Sequence, residues 1–164
     1  MKDIVIREVM PEELSLCAGL IRTAFLTVAD EFGITAQNAP RFTAFATTVE
    51  RLQWHMHEEH RPMFVCMSGD AMAGYYSLAL LENGECELNN LCVQPEHRHG
   101  GIGQTLLEHA FEQAKSMGCM AMNIGIVEEN RRLRAWYERF GFVHTGTEKF
   151  DFFPFTCGYM RKKL

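Results

Sequence analysis

Residues 87–107 read ELNNLCVQPEHRHGGIGQTLL, and the character of the chain changes twice within them. The first seven residues are rich in apolar and strand-compatible side chains, and Pro95 breaks the run. Gly100, Gly101 and Gly103 then crowd into four positions. Immediately afterwards Ile102, Leu106, Ala110 and Ala114 recur at helical spacing, with Leu107 and Phe111 widening the stripe. The stretch therefore predicts a strand, a glycine-rich turn and the start of a helix. That succession suits an anion, because a helix N-terminus presents unpaired N–H groups and partial positive charge. Glycines let those groups converge without a Cβ in the way, and Arg98 adds a cation at the mouth. Two nucleotide motifs fail here. The turn has no Gly-Lys-Ser/Thr, and after Gly101-Ile102-Gly103 the position where a dinucleotide fingerprint needs its third glycine holds Leu106.

Upstream, Ile4–Val9 reads as a first strand. PEELSLCAGLIRTAF (11–25) opens with proline and two acids, a helix-start signature, and DEFGITAQNAP (30–40) reads as a loop. A second helix is expected from about 41 to 60, ended by Pro62. MFVCMS (63–68) and GYYSLALL (74–81) read as strands around the turn GDAMAG (69–74), and ENG (82–84) turns the chain into the fourth strand. Downstream, CMAMNIGIV (119–127) reads as a strand buried on both faces. Leu133, Trp136, Tyr137 and Phe140 mark a short helix stopped by Gly141, and strands follow at about 142–150 and 155–162. The order β-α-α-β-β-β-α-β-α-β-β predicts an α/β fold on one mixed sheet of about seven strands.

At 164 residues with 47% hydrophobic side chains, the chain is read as a single domain, 1–164, with a full core. A net charge of −5 without a basic block argues against nucleic acid, and no apolar run is long enough to span a membrane. The six cysteines form no Cys-x-x-Cys pair and read as buried free thiols, which with a start unlike a signal peptide points to a cytoplasmic protein. WHMHEEH (54–60) places three histidines close together, but the zinc-helix order His-Glu-x-x-His is one residue short. No metal is expected, and these histidines read as a solvated helix end.

The spacing Arg98-x-x-Gly101-x-Gly103 resembles the pyrophosphate loop of the GNAT superfamily of acyl-CoA N-acyltransferases. NRRLRAWYERFGF (130–142) resembles that family's second signature, with Asn130, Tyr137 and Gly141-Phe142 in matching places, and the element order agrees from about residue 4 to 162. Leu133 departs from the small residue usual there. The resemblance implies a mostly antiparallel sheet, splayed near the fourth and fifth strands to admit coenzyme A, and acetyl transfer from acetyl-CoA to an amine. It implies that backbone groups of Arg98, His99, Gly100, Gly101, Ile102, Gly103, Gln104 and Thr105 hold the pyrophosphate. The main chain of Leu91, Cys92 and Val93 would bond the pantetheine arm, and Asn130 would cap the next helix and touch the cofactor. Tyr137 would be the general acid for the leaving thiolate. Glu87, eleven residues before Arg98, would be the base, with His97, Glu128 and Glu129 as weaker alternatives.

Acyl transfer to an amine requires a neutral nucleophile, an anchored donor and stabilisation of the oxyanion. The acceptor, a small-molecule or peptide amine, is expected between the loop after the first helix and KFDFFPF (149–155), near Phe25, Phe32, Phe150, Phe152, Phe153 and Phe155. A covalent route through Cys92 lacks a nearby base in sequence. Other readings kept open are a non-catalytic coenzyme-A-binding module, an acyl group other than acetyl, a protein N-terminus as acceptor, and a homodimer.

Overall fold

The computed structural model describes residues 3–164. The elements follow in the order β1 (Ile4–Glu8), α1 (Leu14–Glu31), α2 (Thr43–Ala46), α3 (Val49–His57), β2 (Met63–Ser68), β3 (Ala71–Leu80), β4 (Cys86–Val93), α4 (Ile102–Ser116), β5 (Ala121–Val127), α5 (Arg131–Arg139), β6 (Val143–Glu148) and β7 (Cys157–Lys163). All seven strands form one sheet in the order β1-β2-β3-β4-β5-β7-β6. Every pairing is antiparallel except β4–β5, which is parallel and joined only at Cys86↔Met122 and Glu87↔Asn123. Beyond Glu87 the two strands diverge, so the β5-facing edge of Leu88–Val93 has no strand beside it.

Helices cover both faces. The helical stripe foreseen for α4 is buried, and Leu106, Leu107, Ala110 and Ala114 are wholly inaccessible against Tyr76, Leu88, Met122 and Ile124. Burying each such leucine contributes about 1.5–3 kcal/mol. On the opposite face α1 packs Leu14, Cys17, Leu20 and Ile21 onto Val65, Tyr75 and Cys92.

Several features differ from the sequence reading, and β3 begins at Ala71, inside the expected turn. Helix α1 runs six residues past Phe25 and takes in Asp30 and Glu31, because Val28 and Ala29 keep its packed face going. The expected second helix is broken in two. Thr47 turns extended, and Thr48 caps α3 by accepting the Arg51 N–H on its hydroxyl (3.1 Å). Strand β5 is buried on the α4 face throughout and at both ends of the face turned towards α1, where Ala121 and Val127 are covered, but that second face is open in its middle, with Asn123 half-exposed and Gly125 exposed. His55 also departs from its expected solvated setting: it is buried, and burial pulls its pKa below the usual histidine value. His57 and His60 are exposed as expected.

Strand β3 passes close under α4. A Cβ at Gly74 would lie 2.6 Å from Leu106 Cδ1 and 3.1 Å from the Cys92 carbonyl oxygen. Leu106 is fully buried and cannot swing clear. Gly74→Ala is therefore expected to destabilise the fold by about 1–3 kcal/mol, the usual range for overpacking. Urea unfolding checks this, and an unchanged midpoint would show that α4 yields at no cost.

Candidate functional site

The sequence puts a β-bulge in β4 where the sheet opens. Tyr75 pairs with Cys92 while Ser77 pairs with Asn89, and Asn90 takes φ +57°, a conformation asparagine tolerates better than most residues. The extra residue reverses which side chains face which helix. Cys86 and Leu88 face α4 before the bulge, whereas Leu91 and Val93 face it afterwards and Cys92 turns to α1. Glu87 and Asn89 consequently share the α1 face with Cys92.

The gap beside the diverging strands opens into a cleft of about 900 Å³. Its walls are the last turns of α1, the end of β4, the start of α4 and one stripe of α5: Arg132, Ala135, Trp136 and Arg139. Leu91, Cys92, Val93, Arg98, His99, Gly101, Ile102, Gly103, Gln104, Asn130 and Tyr137 all line it, as does His97. Gly100 stands exposed in the same loop, and Thr105 is exposed on α4, one residue beyond Gln104.

The start of α4 has the chemistry of an anion cradle. Gly101 is its N-cap with φ +85°, no side chain caps the helix, and no atom lies within 4 Å of where a Cβ would stand. The first N–H groups of the helix therefore meet the cleft without an internal partner. Trp136, given by the sequence only as part of the apolar stripe of a short helix, lies 3.5 Å from the corresponding Cβ position of Gly103 and walls the cradle. Its place just before Tyr137 on the α5 stripe was the one available signal.

Arg98 turns inward. Its Nε donates to the Val93 carbonyl (3.1 Å), Nη1 to Thr27 Oγ1 (3.0 Å) and Nη2 to the Ala24 carbonyl (3.1 Å). Thr27 and Ala24, on α1, carried no motif that could have revealed this. Asn130 caps α5, its Oδ1 accepting the Leu133 N–H at 3.2 Å. Leu133, the departure from the family pattern, packs into the core under the cleft floor.

Tyr137 is buried between Trp136 and Phe142, with ring centroids at 5.0 and 5.3 Å. Its hydroxyl has no hydrogen-bond partner among the described residues, and burial drives its pKa well above the usual phenol value. Cys92 is buried nearby, and desolvation likewise raises its thiol pKa, which makes it a poor nucleophile.

Glu87 lies outside this cleft wall, exposed on the α1 face of the sheet. With the Asn89 amide oriented to suit its neighbours, Asn89 donates to Glu87 Oε1 at 2.7 Å and accepts from Arg61 at 3.2 Å. The register sets Asn123, Arg161 and Tyr159 beside it. Arg161 is held by Glu85 (2.9 and 3.0 Å), and Tyr159 donates to Glu148 (3.0 Å). Burial and the adjacent Glu148 push the Tyr159 pKa up to about 12, with Glu87 adding to the effect. The other acids are engaged elsewhere. Glu128 binds Arg134 (3.1 Å) and His144 (2.9 Å), and Glu129 accepts the Thr156 N–H (3.0 Å).

The phenylalanines border the same face. Phe42 joins Phe25, Phe45 and Phe155 at 5.6–6.3 Å, Phe153 stacks on Phe155 at 4.6 Å, and Phe150 stacks on Phe152 at 5.0 Å. Phe32 packs into this cluster half-buried. Phe155 is core, while Phe152 is 42% exposed with Arg41 4.5 Å above its ring.

Residues 29–142 match the model of the Acetyltransferase (GNAT) family. A stretch of 79 residues, 48% of the chain, is 37% identical to an amino-acid acetyltransferase of Pseudomonas putida, of which it spans 17%. An uncharacterised N-acetyltransferase of Methanocaldococcus jannaschii is 28% identical over 96 residues, 55% of this chain and 42% of that one. The chain thus spans less than half the length of these relatives. Among solved structures, the PaiA N-acetyltransferase of Thermoplasma acidophilum in complex with coenzyme A superposes with a TM-score of 0.85 at 19% identity, covering 99% of both chains. A ribosomal-protein-alanine N-acetyltransferase of Brucella melitensis gives 0.75 at 24%, covering 98% of this chain and 99% of that one. These likenesses establish the shared fold.

Proposed function

The chain belongs to the GNAT acetyltransferase family, and on that premise we propose that residues 1–164 act as one domain transferring an acetyl group from acetyl-CoA to a primary amine of a small molecule or peptide. The observation that carries this is the uncapped, glycine-led start of α4 facing a cleft beside two splayed strands. The N–H groups of residues 99–104 are offered to the diphosphate, those of Arg98 and Thr105 being bonded already to the Pro95 and Gly101 carbonyls, and the free edge of Leu91–Val93 offers main-chain bonds to an extended arm. Asn130 closes that wall. Acetyl-CoA supplies the acyl group as a thioester, open to direct attack by the amine in a ternary complex.

The chain's own groups then manage protons. Tyr137 holds its phenolic proton in the dry wall of the cleft and gives it to the leaving sulfur. Glu87, on the sheet face bordered by the phenylalanines, takes the ammonium proton directly or through water. Polar Asn123, Tyr159 and Glu148 share that face, which suits an amine. A cytoplasmic setting fits these roles, and among the described residues no helix is long and apolar enough to cross a membrane.

Acetyl transfer to a panel of amino acids, small amines and short peptides tests the reading. Turnover is expected on at least one class. Binding of acetyl-CoA without turnover across the panel would instead make the chain a non-catalytic cofactor module. Glu87→Gln is expected to lower kcat by about tenfold at neutral pH, with the deficit shrinking as pH approaches the amine's own pKa and free amine accumulates. A deficit independent of pH would remove Glu87 from the base role.

A further inference from the structure

The three bonds of Arg98 reach three groups on two separate elements. Val93 O ends β4, Ala24 O belongs to α1, and Thr27 Oγ1 stands one turn further along α1, itself donating to Ala24 O at 2.7 Å. All four residues line the same cleft. Three of the five guanidinium N–H groups are thereby committed to the protein, in the fixed fork geometry that only arginine has. A residue whose chief task was to meet a diphosphate would leave that fork open.

We propose that Arg98 is a positioning residue: its guanidinium is a strut that fastens the glycine loop and the end of β4 to α1, rather than a charge partner of the diphosphate. The loop needs such a strut, because His99 at φ +66° and Gly101 at φ +85° leave it without regular backbone bonding. Helix α1 also carries Phe25 and Val28 on the cleft, so the strut sets the donor cradle and the opposite wall in one frame. This inference rests on the acyl-CoA reading above only for its ligand.

Four variants test it: Arg98→Lys keeps the charge without the fork, Arg98→Ala removes both, Thr27→Val removes one anchor and no charge, and Thr27→Ser restores the hydroxyl. If the strut holds, Arg98→Lys and Arg98→Ala raise the coenzyme A Kd equally, by about tenfold, and Thr27→Val raises it about threefold. Thr27→Ser returns to the original value. The KM for acetyl-CoA follows Kd while kcat stays within about twofold, and the salt dependence of binding keeps its slope. Hydrogen exchange without ligand reads the same contact: the amides of Arg98 and Thr105, bonded to the Pro95 and Gly101 carbonyls, exchange faster in Arg98→Lys and Thr27→Val. Wild-type affinity in Arg98→Lys, no effect of Thr27→Val on either readout, or a shallower salt slope in Arg98→Ala would each overturn the strut. Failure of the wild-type chain to bind coenzyme A would refute the acyl-CoA reading instead, and the exchange rates would still decide the role of Arg98.

Discussion

Gly101→Glu will abolish coenzyme A binding while leaving the protein folded. The position is open, with no atom within 4 Å of the new Cβ, so the side chain meets no protein wall. The backbone sits at φ +85°, which costs an L-residue about 1–2 kcal/mol. Part of that is returned, because a carboxylate at a helix N-terminus contributes about 0.3–1 kcal/mol. The same carboxylate then occupies the N–H groups that the diphosphate would use. Like charges about 4 Å apart near a protein surface repel by about 4 kcal/mol, close to a thousandfold in affinity. Gly101→Ala separates the contributions: it carries the backbone cost without the charge, and should retain measurable binding. Calorimetric titration with coenzyme A, beside a thermal melt, checks both. Undiminished affinity in Gly101→Glu would show that the diphosphate does not sit at the start of α4.

The strong regularities of the sequence were enough for the frame. Helix α4 was legible because Ile102, Leu106, Ala110 and Ala114 keep one period, and the order of strands followed from turn residues between apolar runs. The splay of β4 from β5 was implied by resemblance alone, since nothing in either strand forbids a longer ladder. What stayed hidden depends on contacts between distant parts of the chain. Arg98 reads as a cation at the mouth of an anion site, but its partners Ala24 and Thr27 lie more than seventy residues away. The bulge at Asn90 reverses the facing of every later residue in β4, yet an asparagine between two apolar residues gives no hint of left-handed backbone. For that reason sequence could place Glu87 on β4 and could not choose its face. The opening in the α1-facing side of β5, at Asn123 and Gly125, was missed for a related reason. On that face Val127 is covered by Ala29, Phe42 and Phe155 while Gly125 is left open, and the apolar run CMAMNIGIV reads alike in either case.

Tyr137→Phe will lower kcat by about a hundredfold, the low end of the range for a positioned acid, and leave coenzyme A affinity within about twofold. The low end follows from the chemistry of the leaving group, since a thiol with a pKa near 8.5 departs as thiolate more readily than an amine or alcohol would. Burial raises the phenol pKa, so the hydroxyl keeps its proton throughout the neutral and mildly alkaline range. The sign follows directly. The acid is present below its raised pKa, and turnover of the unaltered enzyme should show no loss from this group as pH climbs through the working range. Because the hydroxyl has no hydrogen-bond partner among the described residues, its removal leaves no orphaned group behind, and stability should change by less than about 0.5 kcal/mol. The ring contacts with Trp136 and Phe142 survive in phenylalanine, so the cleft wall keeps its shape. A structural role would therefore predict almost no change in kcat, whereas an acid role predicts a large one at constant Kd. Steady-state kinetics on the best acceptor, with affinity measured by titration, separates the two. Equal turnover in both forms would pass the proton to water and leave Tyr137 as a wall.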